Sequence, residues 1–162
     1  MFGLFKAKKK TGQPIIAPVT GILMPLDDVT DDVFSQKMMG DGFAIQPEES
    51  QIVSPVSGTV STVFPTKHAI GITTPEGLDV LVHMGLDTVE LDGKPFKVDV
   101  ALNDAVTAGQ PLATIDREQI KKSGYDDTIV VIYTNMEKLK NFPTVVSSQI
   151  TQGQQIGELI YV

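Results

Sequence analysis

Turn-forming residues interrupt this chain so often that long helices have almost nowhere to form. Fourteen glycines and ten prolines are scattered through 162 residues, and each tends to end or bend a regular element. Between them lie short runs rich in Val, Ile and Thr: Gln51–Val53, Gly58–Phe64, Ala69–Thr74, Leu78–Met84, Thr128–Thr134 and Gln155–Val162. Runs of this length and composition predict strands. The best helical segment is Asp116 to Lys122, with Asp116 as N-cap, and Asn135 to Lys140 offers one more helical turn. The predicted fold class is all-β, a compact antiparallel β-sandwich or barrel with very little helix.

Two internal echoes point to duplication within that fold. Ala17-Pro18-Val19-Thr20-Gly21 returns as Ser54-Pro55-Val56-Ser57-Gly58. Val106-Thr107-Ala108-Gly109-Gln110-Pro111-Leu112 returns as Ile150-Thr151-Gln152-Gly153-Gln154-Gln155-Ile156. Each alone is ordinary turn grammar, but an early pair and a late pair together suggest a duplicated β motif. The first echo also resembles the A-P-x-x-G element of biotinyl and lipoyl carrier domains. Those domains flank their modified lysine with methionines, whereas Lys37 is preceded by Gln36 and followed by Met38 and Met39.

The formal charge of −7 conceals an asymmetry. Lys6, Lys8, Lys9 and Lys10 occupy an N-terminal stretch without acids, leaving 9 basic against 20 acidic residues in the rest. An acidic body repels nucleic acid, whose capture needs basic groups to neutralise phosphates, and attracts a protein partner with a basic face. Residues 1–14 are expected to form a flexible tail, with residues 15–162 as one domain. At most, the tail's apolar start and lysines give weak contact with an anionic membrane surface. Its lysines follow the apolar run, the reverse of a secretory signal, and no stretch is long enough to span a bilayer. With no cysteine, disulfides and thiol chemistry are absent. The expected location is cytoplasmic.

Chemistry therefore falls to two histidines, His68 and His83. They flank a turn signal, Thr74-Pro75-Glu76-Gly77, with Pro and Gly where a type I turn favours them. If Thr74 pairs with Gly77, the histidines stand directly opposite, with Cβ atoms about 5 Å apart. If the loop has three residues, Ile70 and Ile72 instead match Val82 and Val80 on one apolar face. The histidines then point to opposite faces unless a bulge intervenes. The sequence leaves both registers open. Two imidazoles in contact suit phosphoryl transfer: one carries the group on nitrogen, and the other hydrogen-bonds its oxygens. Thr66 is placed to hold the His68 ring, and backbone beside Gly85 to approach an anion. No nucleotide-binding glycine loop is present, which favours a phosphoryl donor other than ATP.

The segment V-H-M-G-L-D-T-V-E-L-D-G-K-P-F at 82–96 resembles the signature around the phosphorylated histidine of glucose-type enzyme IIA. That family serves the bacterial phosphoenolpyruvate-dependent sugar phosphotransferase system. Four more stretches agree: A-P-V-T-G at 17–21, K-M-M-G-D-G-F-A-I at 37–45, V-S-P-V-S-G at 53–58 and V-F-P-T-K-H-A-I-G at 63–71. The resemblance implies an antiparallel sandwich with a duplicated hybrid motif. It implies a phosphotransferase component in which His83 accepts a phosphoryl group through Nε2 from the carrier protein HPr. His68 would be the supporting imidazole, oriented by Thr66. Asp31 and Asp87 would form an acidic rim, and Val33, Phe34, Phe64, Leu81 and Val89 an apolar ring. The group would pass to a cysteine on the IIB domain of a glucose-class sugar permease. Phosphorylation-dependent binding of transporters or metabolic enzymes is a further family trait. No cofactor is required, although the two histidines could take incidental or regulatory zinc.

Two rival readings use the same residues. His83-Met84-Gly85-Leu86-Asp87 matches the His-x-x-x-Asp ligand pattern of lysostaphin-type zinc endopeptidases, but the His-x-His pair those enzymes need is missing. Zinc held by both histidines and an aspartate would also leave no histidine as general base. The second rival is a purely regulatory interaction module built around the histidine pair.

Overall fold

A computed structural model describes residues 12–162. The lysine-rich start of the expected tail lies outside the described residues, and Gln13 and Pro14 already belong to the first strand. In chain order the strands are β1 (Gln13–Ile16), β2 (Gly21–Pro25), β3 (Gly42–Pro47), β4 (Gln51–Val53), β5 (Gly58–Val63), β6 (Ala69–Thr73) and β7 (Asp79–Leu86). There follow β8 (Phe96–Val98), β9 (Ala105–Val106), β10 (Pro111–Ile115), β11 (Asp126–Tyr133), β12 (Leu139–Asn141), β13 (Ser148–Ile150) and β14 (Gln155–Tyr161). Among the described residues there are also two short α-helices, α1 (Asp32–Ser35) and α2 (Arg117–Lys122). The Asp116 side chain accepts a hydrogen bond from the Gln119 amide, as the N-cap reading requires. The turn expected at 135–140 is a 3-10 turn at Met136–Lys138.

All pairings are antiparallel. One sheet runs β13-β2-β3-β11-β7-β6-β5-β9, and two three-stranded sheets run β1-β14-β12 and β4-β10-β8. This order is its own mirror about the β11/β7 pair, and the echoed segments occupy matching places. Val53 N donates to Pro18 O at 2.9 Å, and Ile16 N donates to Pro55 O at 3.0 Å. Ala17 N bonds Gln154 O, and Ser54 N bonds Gln110 O. The side chains of those two glutamines accept from Thr151 N and Thr107 N, each at 3.1 Å. Gly21 and Gly58 open β2 and β5, and a Cβ at either would strike a carbonyl of the next strand, that of Gln46 or Thr73. The duplication is thus a structural two-fold: Pro-Val-x-Gly and x-Gly-Gln are the two halves of one docking joint, made twice.

The two small sheets pack on one face of the large sheet. Val80, Val82 and Met84 of β7 join Ile15, Ile52, Leu112 and Leu159 there in the main core. The other face carries a smaller cluster in which Leu81, Ala69, Ala44, Val130 and Ile132 are covered by Leu26, Val29 and Phe34. Alternation along β7 therefore sends Val80, Val82 and Met84 inward, and Leu81 and His83 to the second face.

Candidate functional site

The hairpin carrying the histidines has the three-residue register. Ile70 pairs with Val82, Ile72 with Val80 and Ala69 with His83. The loop closes as Gly77 N donates to Thr74 O, with Gly77 at φ +93, a type I turn followed by a left-handed residue. By parity His68 belongs on the face opposite His83, yet the rings meet, with centroids 4.9 Å apart and planes at 79°. No bulge does this. His68 lies one residue before β6, after Lys67 at φ +60, and Lys67 N is tied back to Phe64 O at 2.7 Å. The His68 carbonyl still accepts from Met84 N at 2.7 Å, and its ring meets His83 from the residue just ahead of β6.

Each ring is held at Nδ1. His83 Nδ1 lies 2.7 Å from Gly85 O. A carbonyl only accepts, so Nδ1 carries the proton and Nε2 presents a free lone pair. The left-handed backbone at Gly85, φ +89, brings that carbonyl to the ring. A Cβ there would collide with the Thr88 methyl and the Asp126 carbonyl, which explains why glycine occupies the position. The Thr88 hydroxyl donates to Met84 O at 2.6 Å and braces the same turn. Thr66 Oγ1 lies 2.7 Å from His68 Nδ1. With the hydroxyl donating, the His68 proton sits on Nε2 and that ring becomes a hydrogen-bond donor.

Phe34 stands edge-on to His83 at 5.0 Å, and Phe64 edge-on to His68 at 5.2 Å. The four rings form one row. Burial lowers the pKa of both imidazoles. His83 is pushed down to about 4, chiefly by desolvation and then by His68, against the opposing pull of Gly85 O and Asp31. His68 is lowered by desolvation. Both rings are neutral at physiological pH, the state in which a ring nitrogen is nucleophilic.

The expected surround divides by depth. Phe34 and Leu81 are buried, Phe64 is half-buried, and Val33 and Val89 are exposed. The Asp31 carboxylate accepts from Val33 N at 2.9 Å and caps α1, so it fixes the segment bearing Phe34. Asp87 is exposed, at φ +59, and opens a 3-10 turn over Thr88–Leu91. Sequence reasoning missed the Gly85 carbonyl as the holder of His83; the His-x-Gly spacing was its only trace. Among the described residues, no three His, Cys, Asp or Glu side chains gather into a group able to hold a metal.

The sequence and the fold both have known relatives. Residues 13–139 match the family described as phosphoenolpyruvate-dependent sugar phosphotransferase system, EIIA 1. The chain is 41% identical over 159 residues to a glucose-specific EIIA component of Halalkalibacterium halodurans, covering 95% of this chain and 92% of that protein. It is 51% identical over 133 residues to a glucose-specific EIICBA component of Streptococcus pneumoniae, covering 82% of this chain but 18% of that protein. A Bacillus subtilis beta-glucoside-specific EIIBCA component is 49% identical over 129 residues, covering 80% of this chain and 21% of that protein. The chain thus spans about a fifth of those longer relatives. The solved glucose permease IIA of Mycoplasma capricolum superposes with a TM-score of 0.83 at 38% identity, over 98% of this chain and 99% of that one. A duplicated antiparallel sandwich, two neutral imidazoles in contact and a match through both halves of the fold lead to one assignment: the chain belongs to the EIIA 1 family of the phosphoenolpyruvate-dependent sugar phosphotransferase system.

Proposed function

We propose that this protein is a phosphocarrier that takes a phosphoryl group from phospho-HPr onto His83 Nε2 and passes it to the IIB domain of a glucose-class sugar permease. The observation that carries the reading is the Nδ1–Gly85 carbonyl bond, which leaves Nε2 as the nucleophilic nitrogen of a neutral ring. In the forward step the Nε2 lone pair attacks phosphorus, and the donor's N–P bond breaks with its electrons returning to the donor imidazole. The proton stays on His83 Nδ1, donated to the Gly85 carbonyl, so the phosphorylated ring's positive charge is stabilised without proton release. The His68 ring donates from Nε2 to a phosphoryl oxygen and offsets charge as the group moves. Phe34 and Leu81 exclude water and protect the N–P bond from hydrolysis. Little else is needed, because histidine-to-histidine transfer is mostly a matter of alignment and electrostatics.

Relatives named EIICBA and EIIBCA combine A, B and C components in one chain, which supports a IIB domain as the acceptor. The exposed Val33 and Val89 and the acidic Asp87 suit brief docking of a partner with a basic rim. No cofactor enters this scheme, and zinc on the two imidazoles would be incidental. A cytoplasmic setting belongs to the same reading; among the described residues no helix is long and apolar enough to cross a membrane. The test is reconstitution: enzyme I, HPr and phosphoenolpyruvate should label the protein, and the labelled protein should pass its phosphoryl group to a glucose-class IIB domain. A labelled protein that transfers to no such domain would remove the permease assignment.

A further inference from the structure

We propose that Met38 and Met39 form a peroxide-sensitive modification site beside the histidine pair, and that their oxidation to sulfoxides weakens docking of the phosphoryl-donor protein. The second half rests on the phosphocarrier reading; the first does not. The chain has no cysteine, so reversible sulfur oxidation falls to methionine. Among the described residues Met84 is fully buried, Met24 is half-buried, and Met136 is half-buried with its sulfur accepting from Asp41 N at 3.0 Å. Met38 and Met39 are 70% and 38% exposed.

Their exposure is built into the backbone. Lys37 and Gly40, at φ +58 and +125, bracket the pair and turn it outward. Lys37 N donates to Phe34 O, Met38 N to Val33 O and Gly40 N to Lys37 O, while the Lys37 ammonium spans Asp27 and Asp41 at 3.4 and 3.5 Å. The loop is thus anchored to the segment that carries Val33 and Phe34. Met39 also lines a cleft with Phe64 and Leu81, two residues of the apolar surround. An apolar partner face laid here covers the thioethers.

In the oxidation, the methionine sulfur attacks one oxygen of hydrogen peroxide, forming an S–O bond as the O–O bond breaks. The departing hydroxide takes the proton from the transferred oxygen and leaves as water; sulfur loses the two electrons that peroxide gains. The product carries a strong acceptor dipole where the rim was apolar, and covering that dipole without a donor is costly.

The test treats the full chain with limiting hydrogen peroxide and maps oxygen incorporation by mass spectrometry. Met38 and Met39 should oxidise before Met84 and Met136. The treated protein should then show a KM for phospho-HPr raised about fivefold to tenfold with kcat little changed, as loss of one apolar contact produces. Methionine sulfoxide reductases should restore it. A Met38→Leu/Met39→Leu variant should show the same KM before and after peroxide. Oxygen appearing first at Met84 or Met136 would overturn the site. An unchanged KM with both rim sulfoxides formed would overturn the docking consequence. Untreated protein that accepts no phosphoryl group would instead overturn the phosphocarrier reading, while the order of oxidation would still decide the modification site.

Discussion

Replacing His83 by Gln should make the fold less sensitive to mild acid. In the folded protein the His83 pKa is pushed from 6.5 down to about 4, first by desolvation and then by His68. A base whose pKa falls on folding binds fewer protons folded than unfolded. Its cost is therefore small above pH 6.5, grows as pH falls below that value, and levels off once pH drops past about 4. The full drop corresponds to about 3 kcal/mol. Between about pH 7 and about pH 5 the linkage relation gives a loss of about 2 kcal/mol from this residue alone. Glutamine keeps an amide in place of the imidazole and does not titrate in that range. Urea unfolding of both proteins at the two pH values reads the effect, with an NMR titration of His68 in each to account for its coupling to His83. The wild type should lose about 2 kcal/mol more than His83→Gln on acidification. An equal loss in the two proteins would refute a neutral, desolvated His83, and with it the account of why the ring is a nucleophile.

Further outcomes follow from the same contacts. His83→Ala should keep the fold and accept no phosphoryl group from phospho-HPr; gel-shift or mass labelling checks this. His68→Gln should still be labelled but pass the group on at least ~100-fold more slowly, the scale of losing one donor to the transferring charge. Thr66→Val removes the hydroxyl at His68 Nδ1 and should slow onward transfer about fivefold to tenfold, the worth of one hydrogen bond, as single-turnover kinetics would show. Gly85→Ala forces a side chain against Thr88 and Asp126 in left-handed backbone and should cost about 2–3 kcal/mol in urea unfolding. Because the Gly85 carbonyl then moves, the same variant should lose the fixed His83 tautomer in imidazole NMR.

Much of this architecture could be read from the chain because its signals are local. Gly58–Val63, Ala69–Thr73 and Asp126–Tyr133 are β-branched runs bounded by turns, and Asp116 caps its helix as expected. The two echoes marked the two-fold because each builds the same backbone joint. The unread elements are short or unpatterned. Gly42–Pro47 is buried along almost its whole length between β2 and β11, so it lacks the alternation that marks a half-exposed strand. The helix Asp32–Ser35 is a single turn, below the reach of periodicity. Two-residue β9 exists only through its pairing with β5.

At the site, residue types gave the chemistry and the resemblance gave the roles, but neither gave the register. Strand parity separates His68 from His83. Contact arises where the chain enters β6, with Lys67 in the left-handed region just before His68, a backbone feature with no composition signal. Asp31, one of the two expected rim acids, also caps α1 through the Val33 amide. The holder of His83 is a main-chain carbonyl, invisible to any reading of side chains.

The most direct test of the central claim is long-range proton–nitrogen NMR of the two imidazoles, before and after phosphorylation by phosphoenolpyruvate, enzyme I and HPr. Before labelling, His83 should appear as a neutral ring protonated at Nδ1. Afterwards, phosphorus coupling should appear at His83 Nε2, with Nδ1 still protonated and His68 unmodified. Phosphorus on His83 Nδ1, or on His68, would contradict the account.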